Sequence, residues 1–169
     1  FRLQAGRPVD AALVAAMNQA QYHRGPDEGD QYLDEQIGLG HRRLSIIDLA
    51  SGQQPMIDES GRYVLIFNGE IYNFMALRAE LETLGHVFKT HCDTEVILRG
   101  HMQWGDACVE RLQGMFAYAF WDKIAQRLLL ARDRLGRPSA LMGEAAHRGA
   151  LLRGRGGRER IDLDVPTVG

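Results

Sequence analysis

Four polar clusters in this chain have the residue types to do chemistry. They are residues 23–27 (His-Arg-Gly-Pro-Asp), His41-Arg42-Arg43, Asn68-Gly69-Glu70 and Asp93-Thr94-Glu95. Each falls where an apolar strand or helix pattern stops, and such element ends are where sites are built on a rigid scaffold. Arg43 is followed by Leu44, Ile46 and Ile47, so its guanidinium emerges among strand residues. A guanidinium so placed grips a carboxylate with two parallel hydrogen bonds. Asn68 and Gly69 offer a side-chain amide and a backbone N–H to a developing oxyanion. Asp93 holds an ammonium. Together these groups suit a ligand that carries a carboxylate, an amine and an amide. Taken singly, each has a plainer use. An arginine at a strand end commonly makes a surface ion pair, Asn-Gly makes a turn, and an aspartate before Thr-Glu caps a helix.

The elements that must position these groups follow from periodicity. Residues 10–22 are helical in pattern, with Leu13, Ala16, Met17 and Ala20 at i, i+3, i+4 and i+7 and Asp10 as N-cap. Residues 37–47 read as a strand. Residues 63–67 (Tyr-Val-Leu-Ile-Phe) read as a buried strand that ends in a turn at Asn68-Gly69. Asn73 caps a second helix with Leu77, Leu81 and Leu84 as its stripe, and Gly85 stops it. Residues 87–91 read as a strand. Asp93-Thr94-Glu95 opens a third helix, with acids where the helix dipole favours them. A short helix near 106–112 precedes a hairpin of two strands, 116–122 and 127–133. No regular βαβα alternation emerges, so the expected class is α+β, with antiparallel sheets packed together and helices outside.

Composition excludes several classes. The 169 residues carry a net charge of −2, which favours neither nucleic acid nor an anionic membrane as partner. No apolar run approaches the roughly 18–20 residues that span a bilayer. The two cysteines, Cys92 and Cys108, read as reduced thiols, which points to the cytoplasm. No His/Cys cluster suggests a metal. After Gly136 the character changes. Residues 137–169 hold six Arg, six Gly, no Lys and no aromatic residue, so a poorly packed tail is expected. A flexible tail and a shifted reading frame both produce such a composition.

The clusters recur in a recognisable series: residues 23–27, then Gly40-His41-Arg42-Arg43-Leu44-Ser45-Ile46-Ile47-Asp48, then Gln53-Gln54-Pro55-Met56, then Phe67-Asn68-Gly69-Glu70-Ile71-Tyr72-Asn73. Asp93-Thr94-Glu95, Gly114-Met115-Phe116-Ala117 and Ala131-Arg132-Asp133-Arg134-Leu135-Gly136 follow. In that order and spacing, residues 1–136 resemble the class II glutamine amidotransferase domain of glutamine-hydrolysing asparagine synthetases. The resemblance implies a four-layer αββα sandwich of two antiparallel sheets, the N-terminal-nucleophile hydrolase fold, here incomplete. It implies that Arg43 grips the α-carboxylate of L-glutamine, with Leu44 and Ile46 lining the pocket by backbone contacts. Asp93 holds the α-ammonium with Glu70 nearby, and Asn68 and Gly69 form the oxyanion hole.

The family's nucleophile is a cysteine at the mature N-terminus, on a strand upstream of Phe1, and its own α-amine acts as base. Internal Cys92 and Cys108 lack that amine, and both read as small buried hydrophobes. The expectation is that the chain as written lacks useful glutaminase activity. The resemblance also implies that ATP and Mg²⁺ belong to a synthetase domain beyond this chain, and that no cofactor serves this one. That synthetase domain would receive the ammonia, and a homodimer is one arrangement open to the intact protein. The alternative is a non-catalytic module that binds glutamine or a partner.

Overall fold

The computed structural model describes residues 9–20, 22, 28–35, 37–43, 53–133 and 159–164. The cluster at 23–27 and the strand residues 44–47, Leu44 and Ile46 among them, lie outside the described residues. In chain order the elements are α1 (Ala11–Ala20), β1 (Glu28–Leu33), β2 (Gly38–Arg43), β3 (Met56–Ile57), β4 (Tyr63–Ile71), α2 (Phe74–Thr83) and α3 (Asp93–Trp104). A 3-10 turn (Gly105–Ala107), α4 (Cys108–Arg111), β5 (Gly114–Asp122), β6 (Arg127–Arg132) and β7 (Glu159–Asp164) follow. β1 and β2 pair as a small antiparallel sheet. β3, β4, β5, β6 and β7 form a second antiparallel sheet in that order.

Strand alternation divides the core into two layers. On one face of the large sheet, Leu65, Phe67 and Ile71 pack with Leu77 and Leu81 of α2 and Val96, Ile97 and Leu98 near the start of α3. On the other face, Val64, Ile66, Trp121 and Leu128 pack with Ile37 and Leu39 of the small sheet. Each such side chain contributes about 1.5–3 kcal/mol over leaving it in water. α1 lies on the small sheet. The order is thus helices, large sheet, small sheet, helix: the expected four-layer α+β sandwich.

Several local expectations shift. Asp10 does cap α1, its Oδ1 accepting the amides of Ala12 (3.0 Å) and Leu13 (3.1 Å). The buried stripe differs: Leu13 is 53% exposed and Val14 is the buried residue. The reason lies in the small sheet, where Gly38 leaves room for Val14 and Gly40 for Asn18, one helical turn on. α2 ends as expected at Gly85, where the amides of Gly85 and His86 bond the carbonyls of Glu82 and Leu81. Leu84 is left exposed. Asn73 makes no cap bond. Its amide instead donates to the Arg111 carbonyl (3.0 Å) and accepts from the Gln113 amide (2.9 Å).

Residues 87–91 are not a strand. The amides of Lys89 and Thr90 bond the Glu95 carboxylate, which leaves them unavailable to a ladder. The segment expected to be a poorly packed tail supplies β7. There Ile161 sits opposite Leu130 and Leu163 opposite Leu128. The alternation of Ile161 and Leu163 with Arg160, Asp162 and Asp164 is a strand pattern hidden by the Arg- and Gly-rich composition around it.

Candidate functional site

The site is built on the end of β4. The sequence suggested that this strand stops at Asn68-Gly69. Instead it continues to Ile71, in unbroken register with β5, Asn68 opposite Ala117 and Gly69 opposite Phe116. Two glycines make this possible. Gly69 has φ +138°, and a Cβ there would collide with the Met115 carbonyl oxygen and the Phe116 Cα. A Cβ on Gly114 would collide with the Glu70 carbonyl. The two strands therefore approach more closely than side chains allow, and the Asn-Gly pair serves a strand rather than a turn.

Beyond Leu65, which faces Met56 of β3, the outer edge of β4 has no strand beside it among the described residues. Its backbone groups are met by side chains. The Phe67 amide donates to Gln54 Oε1 (2.6 Å). The Phe67 carbonyl accepts from His41 Nε2 (3.1 Å). A carbonyl only accepts, so that ring nitrogen carries the proton. The Ile71 amide donates to Asp93 Oδ2 (3.0 Å). Phe67 and Ile71 turn to this edge, so strand alternation assigns the Gly69 N–H between them to the same edge. The Asn68 side chain is exposed and bonds no described residue.

Asp93 and Glu70 sit together at the end of this edge. Burial pushes the Asp93 carboxyl above the ordinary aspartate range, and the charge of Glu70 adds to the shift. The amides of Ile71, Thr94 and Asp93 itself act the other way. No described cationic side chain pairs with either carboxylate, so the pair is disposed to receive a cation. Asp93 opens α3 as expected, although the N-cap position is Cys92.

Arg43 ends β2, opposite Glu28. It lies two residues beyond His41, whose ring joins β2 to β4 one residue before Asn68. The backbone thus brings the end of β2 to the end of β4. Leu44 and Ile46 lie outside the described residues.

The cysteines differ from each other. Cys108 is fully buried, and burial pushes its thiol up to about 12, which keeps it protonated. Cys92 is half-buried rather than enclosed, with Sγ 3.0 Å from Thr90 Oγ1. Among the described residues, no group of three or more His, Cys, Asp or Glu side chains could hold a metal ion. No helix there is long and apolar enough to cross a membrane.

Sequence reading missed the groups that hold the site in place. Gln54 and His41 lay inside quoted motifs without a role. Glu95 was read as a helix opener. It is buried, and it accepts from the amides of Lys89 and Thr90, from Thr90 Oγ1 (2.7 Å) and from Arg99 Nη2 (3.1 Å). Arg99 in turn bonds Glu59. The i, i+4 spacing of Glu95 and Arg99 was the available signal.

Among solved structures, the chain is similar to the glutamine phosphoribosylpyrophosphate amidotransferase of B. subtilis (TM-score 0.50, 22% identity, covering 60% of this chain and 24% of that one). It is also similar to a structure described as the allosteric regulatory enzyme of purine biosynthesis (TM-score 0.53, 22% identity, 62% and 25%). At that identity the likeness shows the fold alone, a sandwich of two antiparallel sheets between helices. The sequence profile of the glutamine amidotransferase domain matches residues 3–152, and the chain belongs to that family. Its relatives include asparagine synthetase [glutamine-hydrolyzing] 1 of Bacillus subtilis, 47% identical over 73% of this chain and 20% of that protein. Asparagine synthetase B of Escherichia coli is 42% identical over 74% of this chain and 22% of that one. The chain thus spans about a fifth of the length of the curated relatives it matches.

Proposed function

We propose that this domain binds L-glutamine at the end of β4 and, in a longer protein, serves its hydrolysis to supply ammonia to a synthetase domain of the asparagine synthetase kind. The observation that carries the reading is the pair Asp93 and Glu70, acidic and without a described counter-charge, beside the stretch of β4 edge at Gly69 that no described strand pairs. Asp93, with Glu70, takes the α-ammonium. Arg43 takes the α-carboxylate, and the backbone of Leu44 and Ile46 lines the pocket. The Asn68 amide and the Gly69 N–H face the side-chain carbonyl.

Attack of a thiolate on that carbonyl would place negative charge on its oxygen. Donors fixed in advance stabilise such charge, and removing one oxyanion donor from a serine protease costs about 3–4 kcal/mol. Ammonia then leaves and water releases glutamate. Neither described cysteine suits the attack: Cys108 is buried and protonated, and Cys92 is internal, with no free α-amine as base. What these residues supply is the binding and oxyanion half of the chemistry. The domain itself uses no cofactor. ATP and Mg²⁺ serve the synthetase domain, and the compartment is the cytoplasm.

Calorimetric titration tests the binding. L-glutamine binds and D-glutamine does not, and Asp93→Asn weakens L-glutamine about tenfold or more by removing a charge-assisted contact. Equal binding of both enantiomers, or no change in Asp93→Asn, would refute the assignment.

A further inference from the structure

The edge of β4 carries three backbone groups that no described strand meets, and three side chains from three separate segments bond them. Gln54 takes the Phe67 N–H (2.6 Å), His41 takes the Phe67 carbonyl (3.1 Å), and Asp93 takes the Ile71 N–H (3.0 Å). Asp93 already has a use in binding. Gln54 and His41 touch only the Phe67 peptide groups among the contacts that concern this edge, and both flank the peptide that leads into Asn68-Gly69.

An unpaired strand end is free to twist or to add a partner strand. Gly69 increases that freedom, since its φ of +138° lies where other residues rarely go. Yet an oxyanion donor works only when it is fixed before the reaction, within a few tenths of an ångström. Something must hold the Gly69 N–H. On one side β5 holds it, with the Gly69 Cα packed against the Met115 carbonyl and Phe116 Cα. On the other side, among the described residues, side chains meet the edge.

We infer that His41 and Gln54 form a two-sided clamp on Phe67, and that they are positioning residues for the Asn68 and Gly69 donors. His41 does this from β2, the strand that ends in Arg43, so one ring ties the carboxylate-gripping strand to the oxyanion strand. Gln54 does it from the segment before β3. The inference rests on the glutamine-site reading above and adds the residues that hold it.

The test uses the full chain and two matched pairs of variants. Gln54→Met and His41→Phe remove the bonds while filling the same space. Gln54→Glu and His41→Gln keep an acceptor and a donor. Two quantities are read: the hydrogen-exchange rate of the Phe67 amide without ligand, and the affinity for L-glutamine.

The clamp predicts that Gln54→Met speeds Phe67 exchange at least tenfold. It also predicts that Gln54→Met and His41→Phe both weaken L-glutamine about tenfold, the loss expected for one buried bond. Gln54→Glu and His41→Gln restore both quantities to within about threefold. A role in fold stability alone would lower the urea midpoint of Gln54→Met and His41→Phe and leave the affinity of the folded protein for L-glutamine unchanged. Unchanged affinity in folded Gln54→Met and His41→Phe, with the unaltered chain still binding, overturns the clamp and leaves the glutamine site standing. Absence of L-glutamine binding in the unaltered chain overturns both.

Discussion

Gly69 is where the demands on a single residue are sharpest. Its φ of +138° and its contact with the Met115 carbonyl leave no space for a methyl group. Gly69→Ala is expected to destabilise the domain by about 2–4 kcal/mol through backbone strain and overpacking, read as a lowered midpoint in urea. Asp93 is the other such residue, and its effect depends on pH. Burial raises its folded pKa above the unfolded value, so the folded state holds the proton more tightly. Its contribution to stability is therefore fully present in acid and is lost as pH rises through the folded pKa. Binding an ammonium needs the ionised form, so affinity for glutamine rises over the same window. The two trends run in opposite directions. Thermal melts with and without L-glutamine across acid pH show both, and Asp93→Asn removes both.

Elements are held to the site by buried charge as much as by core packing. Glu95 gathers the amides of Lys89 and Thr90, the Thr90 hydroxyl and Arg99 around one carboxylate. This fixes the loop that delivers Asp93, and it is why 87–91 is a loop and not the strand its apolar residues suggested. Glu95→Ala leaves those donors and part of the Arg99 charge unmet. A loss of about 3 kcal/mol in chemical denaturation is expected. A loss below about 1 kcal/mol would show that the loop is held by other means.

The same elements show what a sequence can reveal. Asp10 as a cap, Gly85 as a stop and the hairpin of β5 and β6 rest on local rules, and the structure has them where those rules put them. The stripe of α1, the continuation of β4 past Asn68-Gly69 and strand β7 depend on partners distant in the chain. Gly38 selects Val14, Gly114 admits the Glu70 carbonyl, and β6 recruits β7. The site divides likewise. Motif order picked out Asn68, Gly69, Glu70 and Asp93, which the structure gathers at one strand end. It gave no role to His41 or Gln54, because a bond to a backbone group leaves no mark of its own in residue type.

On the scale of the whole molecule, two sheets packed between helices bring the end of β2 and the end of β4 together. Among the described residues, that junction gathers the acid pair Asp93 and Glu70, the β4 edge at Gly69 and the strand end bearing Arg43. The chain spans about a fifth of the length of its asparagine synthetase relatives, and the capture of glutamine is the part of the proposed chemistry that its described residues can be tested for. The most direct measurement is an amide NMR map of L-glutamine binding to this chain. The account predicts saturable shifts concentrated at Asn68, Gly69, Glu70, Ile71 and Asp93, with the β5–β6 turn unmoved. Shifts elsewhere, or none at millimolar L-glutamine, would contradict it.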